Sequence, residues 1–195
     1  ITNIVFMGMG EPLDNYENVI KAAKIIFSPW GLGISASKIT LSTCGLVPGL
    51  KRLKDEKLNI NLAISLNASD DNVRNRLMPV NKKYPLKELL KACREFPHKP
   101  NKKRITFEYV LIKDVNDSEK DAKQLADLLK GVKCKINLLP FNKRPDTKSP
   151  YDSPDQDKVD KFHEYLISHN FSVFTRKERG LDISASCGQL TATFS

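Results

Sequence analysis

No two of the four cysteines, Cys44, Cys93, Cys134 and Cys187, stand at a C-x-x-C or similar ligand spacing. The sequence therefore carries no zinc or iron–sulfur motif of its own. Long apolar runs are missing too, so a helical membrane span is excluded and no membrane partner is expected. Nor is there an internal repeat or a low-complexity stretch, which sets aside solenoid and unstructured architectures. Negative charge is in short supply: 23 Asp and Glu face 32 Lys and Arg, for a net charge of +9. An initial Met is absent as well. The chain opens at Ile1 inside an apolar run, as a fragment is expected to open.

What is present is an ordinary globular composition, with 40% hydrophobic and 28% charged residues in 195 positions. That length suits one domain, residues 1–195, with a substantial core. The positive excess fits a polyanionic partner. It concentrates at Lys99–Arg104, at Lys143-Arg144 and at Arg176–Arg179, although solvated loop charge accounts for any one cluster equally well. Nothing points to secretion, so reduced thiols and a cytoplasmic location are expected. At least three of the cysteines can be plain buried hydrophobes.

Strand-length and helix-length patterns alternate throughout. Strands are predicted at Ile4–Met7, Lys38–Ser42, Leu58–Leu66, Ile105–Ile112, Cys134–Leu139 and Phe171–Thr175. Between them helical spacing runs over Tyr16–Phe27, from Pro48 towards Lys54, around Val73 and Leu77 after a Ser69-Asp-Asp cap signature, and from Pro85 through Cys93. It returns after Ser118 and from Pro154 to Ile167. Such alternation means right-handed βαβ units in an α/β fold with a parallel sheet. A barrel, a partial barrel and an open doubly wound sheet all satisfy it. Lys143–Pro154, rich in Pro, Ser, Asp and Lys, is the segment expected to be disordered.

Small polar motifs follow the strands: Gly8-Met-Gly-Glu-Pro12, Ser42-Thr-Cys-Gly45, Ser65-Leu-Asn-Ala68 and Pro140-Phe-Asn142. In a parallel sheet these carboxyl ends open onto one face, where ligands bind. Gly8 and Gly10 can serve a tight turn alone. Glu11, between Gly10 and Pro12, suits an ammonium group on a ligand. Ser42, Thr43 and Asn67 can equally cap the turns after them, and Asn142 offers a donor and an acceptor together. Cys187, in a Ser-Cys-Gly setting near Arg179, is a candidate nucleophile, while Cys44 can line the pocket as an inert residue.

Gly8–Leu13, Leu41–Gly45, Ala63–Leu66, Pro79–Tyr84, Phe107–Val110, Lys135–Leu138 and Cys187–Leu190 together resemble the dual-specificity adenine-C2 methyltransferases of 23S ribosomal RNA and transfer RNA. These are radical S-adenosylmethionine (SAM) enzymes. The likeness runs in order from Ile1 to about Leu190 and implies a six-stranded partial (β/α) barrel. It places the barrel's first strand, the three-cysteine loop for a [4Fe–4S] cluster, an RNA-contacting domain and a second catalytic cysteine before Ile1.

By the same resemblance, Gly10 and Glu11 hold the amino-acid end of SAM. Ser42, Ser65, Leu66, Asn67 and Asn142 complete its pocket. Position 67 is commonly His in the family; Asn also hydrogen-bonds but does not titrate near neutral pH. Cys187 matches the methyl-carrying cysteine, from which a SAM-derived radical route would deliver carbon to C2. Such a route is chemically apt, because that carbon is not nucleophilic. Ribosomal and transfer RNA are the implied partners, with an electron donor for the cluster, and the full-length protein is expected to be a monomer. Adenine-C8 methylation, another radical SAM reaction and a non-catalytic binding module are the alternatives. The isolated chain is expected to be inactive and to bind SAM weakly.

Overall fold

Six strands come from the chain itself: β1 (Ile4–Phe6), β2 (Ile39–Thr43), β3 (Asn61–Ser65), β4 (Ile105–Leu111), β5 (Cys134–Pro140) and β6 (Ser172–Thr175). They form one sheet in the order β1-β2-β3-β4-β5-β6, and every neighbouring pair is parallel. The computed structural model describes residues 1–97, 105–143 and 149–176. Sequential parallel order with right-handed crossovers puts the connecting helices on a single face. That arrangement is a partial (β/α) barrel, so the open doubly wound alternative falls away.

The helices are α1 (Tyr16–Phe27), α2 (Val47–Asp55), α3 (Asp71–Leu77), α4 (Leu86–Glu95), α5 (Glu119–Leu129) and α6 (Gln156–Ser168). The longer helices each bury one stripe, as α1 does with Tyr16, Ile20 and Ala23 and α5 does with Ala122, Leu125, Ala126 and Leu129. Ser118 starts α5 through a capping box with Asp121. At α3 the cap is Asp70, whose carboxylate accepts from the N–H groups of Asn72 and Val73. Ser69, the first residue of the cap signature, is buried and donates instead to Gln124 Oε1 at 3.3 Å.

Burial alternates along β2 and β4. Ile39, Leu41, Thr43, Ile105, Phe107, Tyr109 and Leu111 point under the helices. The core lies between this outer face and the helical layer, and Tyr109 and Phe162 meet there at 5.5 Å between ring centroids. The other face carries half-buried polar residues, Ser42, Ser65, Glu108 and Asn137 among them.

The structure shifts several predicted boundaries. Leu58–Ile60 does not join β3, because the Ile60 N–H turns back to the Leu58 carbonyl at 2.7 Å. Pro154 does not enter α6, which begins at Gln156 after Asp155 as cap. The stretch expected to be disordered is partly ordered. Lys113 N–H donates to the Asp152 carbonyl at 3.1 Å, and Tyr151 packs edge-on against Phe141. Residues 144–148 of that stretch lie outside the described residues.

Candidate functional site

Loops after the parallel strands meet at one end of the sheet, as strand direction requires. The loop after β1 takes two left-handed turns, with φ of +150° at Gly8 and +86° at Gly10. A Cβ at either position would meet nothing within 4 Å, so the peptides there face open space. Glycine is required by the backbone conformation, since L side chains are strained at positive φ.

Glu11 fixes this loop to its neighbour. Its Oε1 accepts from the Leu13 N–H at 2.9 Å, and its Oε2 accepts from the Cys44 N–H at 2.7 Å, 33 residues along the chain. One carboxylate thus ties the end of β1 to the end of β2. Each oxygen keeps a lone pair for a cationic ligand group.

The Cys44 peptide is held from its other side by Arg74 of α3, whose Nη2 donates to the Cys44 carbonyl at 2.7 Å. The same guanidinium reaches β3: Nη2 donates to the Ser65 carbonyl at 3.1 Å and Nε to the Leu66 carbonyl at 2.9 Å. Nη1 donates to Asn81 Oδ1 at 2.9 Å. Arg74 is fully buried and forms no ion pair among the described residues. Burial pulls its pKa down to about 10, which leaves it charged at neutral pH.

Asn67 adopts φ +58° at the end of β3. Its Oδ1 accepts from the Val110 N–H at 3.0 Å, and its Nδ2 is directed at Met78 Sδ at 3.4 Å. Its carbonyl accepts from Asn116 Nδ2 at 2.9 Å. The side chain therefore secures the corner between β3 and β4. Asn142 is half-buried just beyond β5.

The register levels Ser65 with Glu108, and Glu108 with Asn137 and Phe174. Ser42 pairs with Ala63, one inward step nearer the strand starts. Glu108 Oε1 accepts from Asn137 Nδ2 at 3.2 Å. Burial raises the Glu108 pKa, with Asn137 and Arg176 opposing. Val5 and Phe174, more than half exposed, give the two edges of this face an apolar character.

The structure thus brings Gly10, Glu11, Ser42, Ser65, Leu66 and Asn67 to one end of the sheet, with Asn142 following β5. Leu66 itself is buried, so only its backbone can face a ligand. Burial, reinforced by Glu11, pushes the Cys44 thiol up to about 12, which disfavours its thiolate. Cys187 lies outside the described residues, as do the basic positions 98–104, Arg144 and 177–179. Sequence reasoning missed Arg74, Glu108 and Asn116. An arginine on a short helix and an acid within an alternating strand give no local sign of burial.

A partial barrel of parallel strands with glycine, carboxylate, hydroxyl and amide groups at its open end is the architecture of a radical SAM enzyme. The chain belongs to the radical SAM superfamily, which it matches over residues 1–126. Its relatives narrow the class. It is 52% identical over 190 residues to the dual-specificity RNA methyltransferase RlmN of Syntrophotalea carbinolica, covering 97% of this chain and 50% of that protein. The RlmN of Geobacter sulfurreducens is 53% identical over 190 residues, with 97% and 52% covered. The crystal structure of a radical SAM methyltransferase from Sphaerobacter thermophilus superposes with a TM-score of 0.89 at 43% identity, covering 97% of this chain and 55% of that one. A domain of a pyruvate-formate lyase-activating enzyme from Bacteroides vulgatus shares the fold alone, with a TM-score of 0.67 at 21% identity, covering 91% of this chain and 100% of that one. The chain spans about half the length of the curated relatives it matches.

Superfamily membership implies SAM and a [4Fe–4S] cluster as cofactors. The strand ends fit SAM: a carboxylate, two hydroxyls and open space above two glycine peptides suit an amino-acid group and a nucleoside. Among the described residues no group of three His, Cys, Asp or Glu is placed to hold a metal ion. No helix of the described residues is long and apolar enough to cross a membrane.

Proposed function

We propose that the protein carrying this chain is an RNA methyltransferase that methylates C2 of adenine in ribosomal and transfer RNA. The observation that carries this reading is the unbroken likeness, 52% identity over 97% of the chain, to proteins named for dual-specificity RNA methylation. Residues 1–195 are then the barrel part of the enzyme. An RNA-contacting domain and the cluster loop belong to the rest of the polypeptide.

In this reading Glu11 receives the ammonium group of SAM while its two backbone bonds keep it aimed. Gly10 lets the ligand approach the peptide closely. The Ser42 and Ser65 hydroxyls, the Leu66–Asn67 backbone and the Asn142 amide surround the remainder. SAM and the cluster, when bound, supply the methyl carbon and the radical chemistry that a non-nucleophilic carbon demands. The barrel supplies position and excludes water. Cys187 carries the methyl group as a thioether before its transfer. The target adenine leaves its stack to reach the open end of the sheet. Lys and Arg side chains contact phosphate, so RNA binding weakens steeply with salt. The enzyme works in the cytoplasm, takes electrons from a separate donor and is monomeric at full length. The isolated chain is inactive.

The test is nucleoside analysis by mass spectrometry of ribosomal and transfer RNA treated with the full-length, cluster-loaded protein. Appearance of 2-methyladenosine in both supports the reading. 8-Methyladenosine would transfer it to the C8 reaction, and unmodified RNA alongside SAM cleavage would place the substrate elsewhere.

A further inference from the structure

Burying a guanidinium without a carboxylate partner is costly, and the cost is tolerated when its N–H groups all find acceptors. At Arg74 the acceptors are unusual. Three are main-chain carbonyls, of Cys44, Ser65 and Leu66, belonging to the ends of two adjacent strands. A planar fork with five donors can gather them at once, whereas a lysine ammonium or an apolar side chain of similar volume cannot.

The fork is braced from behind. Asn81, 1% exposed, accepts from Nη1 and donates through Nδ2 to Asp71 Oδ1 and to Asn75 Oδ1, each at 2.8 Å. Asp71 Oδ1 in turn accepts from the Leu86 N–H at 2.9 Å, which connects the network to the start of α4. In front lies the Cys44 peptide, its carbonyl on Arg74 and its N–H on Glu11. Gly45 follows at φ +106°, where a Cβ would come within 3.3 Å of Arg74 Nη2. A chain of contacts thus runs from α4 through Asn81 and Arg74 to the Cys44 peptide and ends on the Glu11 carboxylate.

We propose that Arg74 is the positioning residue of the SAM pocket. It touches no ligand, but clamps the ends of β2 and β3 in register and, through the Cys44 peptide, aims Glu11. This inference rests on the reading of these strand ends as the SAM site. Arg74 acts by setting where Glu11 and Ser65 stand when the ligand arrives, so its loss is felt in SAM affinity beyond any loss of stability.

The experiment uses the full-length protein and its variants Arg74→Met, Arg74→Lys, Asn81→Ala and Leu129→Ala. SAM titration, thermal unfolding and the KM for SAM are measured at a temperature where each is folded. Leu129 is fully buried on α5 and is an apolar side chain outside the hydrogen-bonded clamp, so its truncation controls for stability alone. Arg74→Met is expected to weaken SAM binding about tenfold or more, with KM rising in parallel and kcat at saturating SAM changing less. Arg74→Lys does not rescue it, and Leu129→Ala leaves affinity within about threefold of wild type at an equal loss of melting temperature. Should Arg74→Met fail to fold, Asn81→Ala, which withdraws one support, decides the matter: weaker SAM binding is expected and unchanged binding overturns the proposal. A folded Arg74→Met with wild-type affinity, or an equal loss of affinity in Leu129→Ala, overturns it too. Wild-type protein that takes up no SAM overturns the pocket reading itself.

Discussion

Replacing Glu11 by Gln keeps size and shape and removes one charge, at a residue that already holds two backbone N–H groups. A glutamine can accept from only one of the two, and its amide nitrogen then faces the other, donor against donor. Hydrogen bonds to charged groups contribute roughly 1.5–3 kcal/mol, and Glu11 is only half-buried, so the low end applies and the loss is about 2 kcal/mol. For a domain of this size that lowers the melting temperature by roughly 4–8 °C. Asp14→Asn, which removes the same charge from an exposed neighbour whose side chain makes no hydrogen bond among the described residues, should stay within about 0.5 kcal/mol. Scanning calorimetry of both variants reads the stability difference, and a SAM titration on the same samples should show Glu11→Gln alone losing affinity. Equal melting temperatures for Glu11→Gln and wild type would refute the idea that this carboxylate ties β1 to β2.

Asn116 is 1% exposed and satisfies the Ile112 N–H and the carbonyls of Val110 and Asn67. Asn116→Ala strands all three, for an expected loss of roughly 3–5 kcal/mol by urea unfolding, where a loss under about 1 kcal/mol would contradict these bonds. Glu108 has its pKa raised in the folded state from the usual 4.5 by burial. Between the unfolded and the folded values the folded protein therefore holds a proton that the unfolded chain has lost. The stability this group contributes is complete below about pH 4 and is lost as pH rises through the folded value. Glu108→Gln should be more stable than wild type at neutral pH, with the advantage vanishing towards pH 4 in melting curves; a constant difference would refute the assignment. The Cys44 and Cys93 thiols are both pushed from 9.0 to about 12 by burial. Near pH 8 that leaves about a thousandfold less thiolate, so both should resist iodoacetamide in the native protein and react in urea, as peptide mass spectrometry can read. Native labelling of Cys44 at the rate of a free thiol would contradict this.

Strand identity was legible because a parallel α/β chain writes its core as short β-branched runs, and all six runs became strands. Boundaries shifted where a local hydrogen bond decided: Ile60 turning back to Leu58 before β3, or Asp70 capping α3 in place of Ser69. Gathering of the candidate site was legible from direction alone, since parallel strands put every carboxyl end on one side. Its internal wiring was not. Whether Arg74 meets water or three carbonyls depends on β2 and β3 being neighbours. Asn67 reads as an outward ligand group until the Val110 N–H is seen to occupy its Oδ1. Buried polar residues are chosen by tertiary partners far along the chain, such as the 30 residues between Arg74 and Cys44. No local pattern encodes them.

The central proposal, methyl transfer to RNA through Cys187, is tested most directly by isolating the full-length protein without oxygen and weighing its Cys187 peptide. One methyl group on that cysteine is the expected result. An unmodified Cys187, in protein that still cleaves SAM, would contradict the proposal and assign the barrel to a different radical SAM reaction.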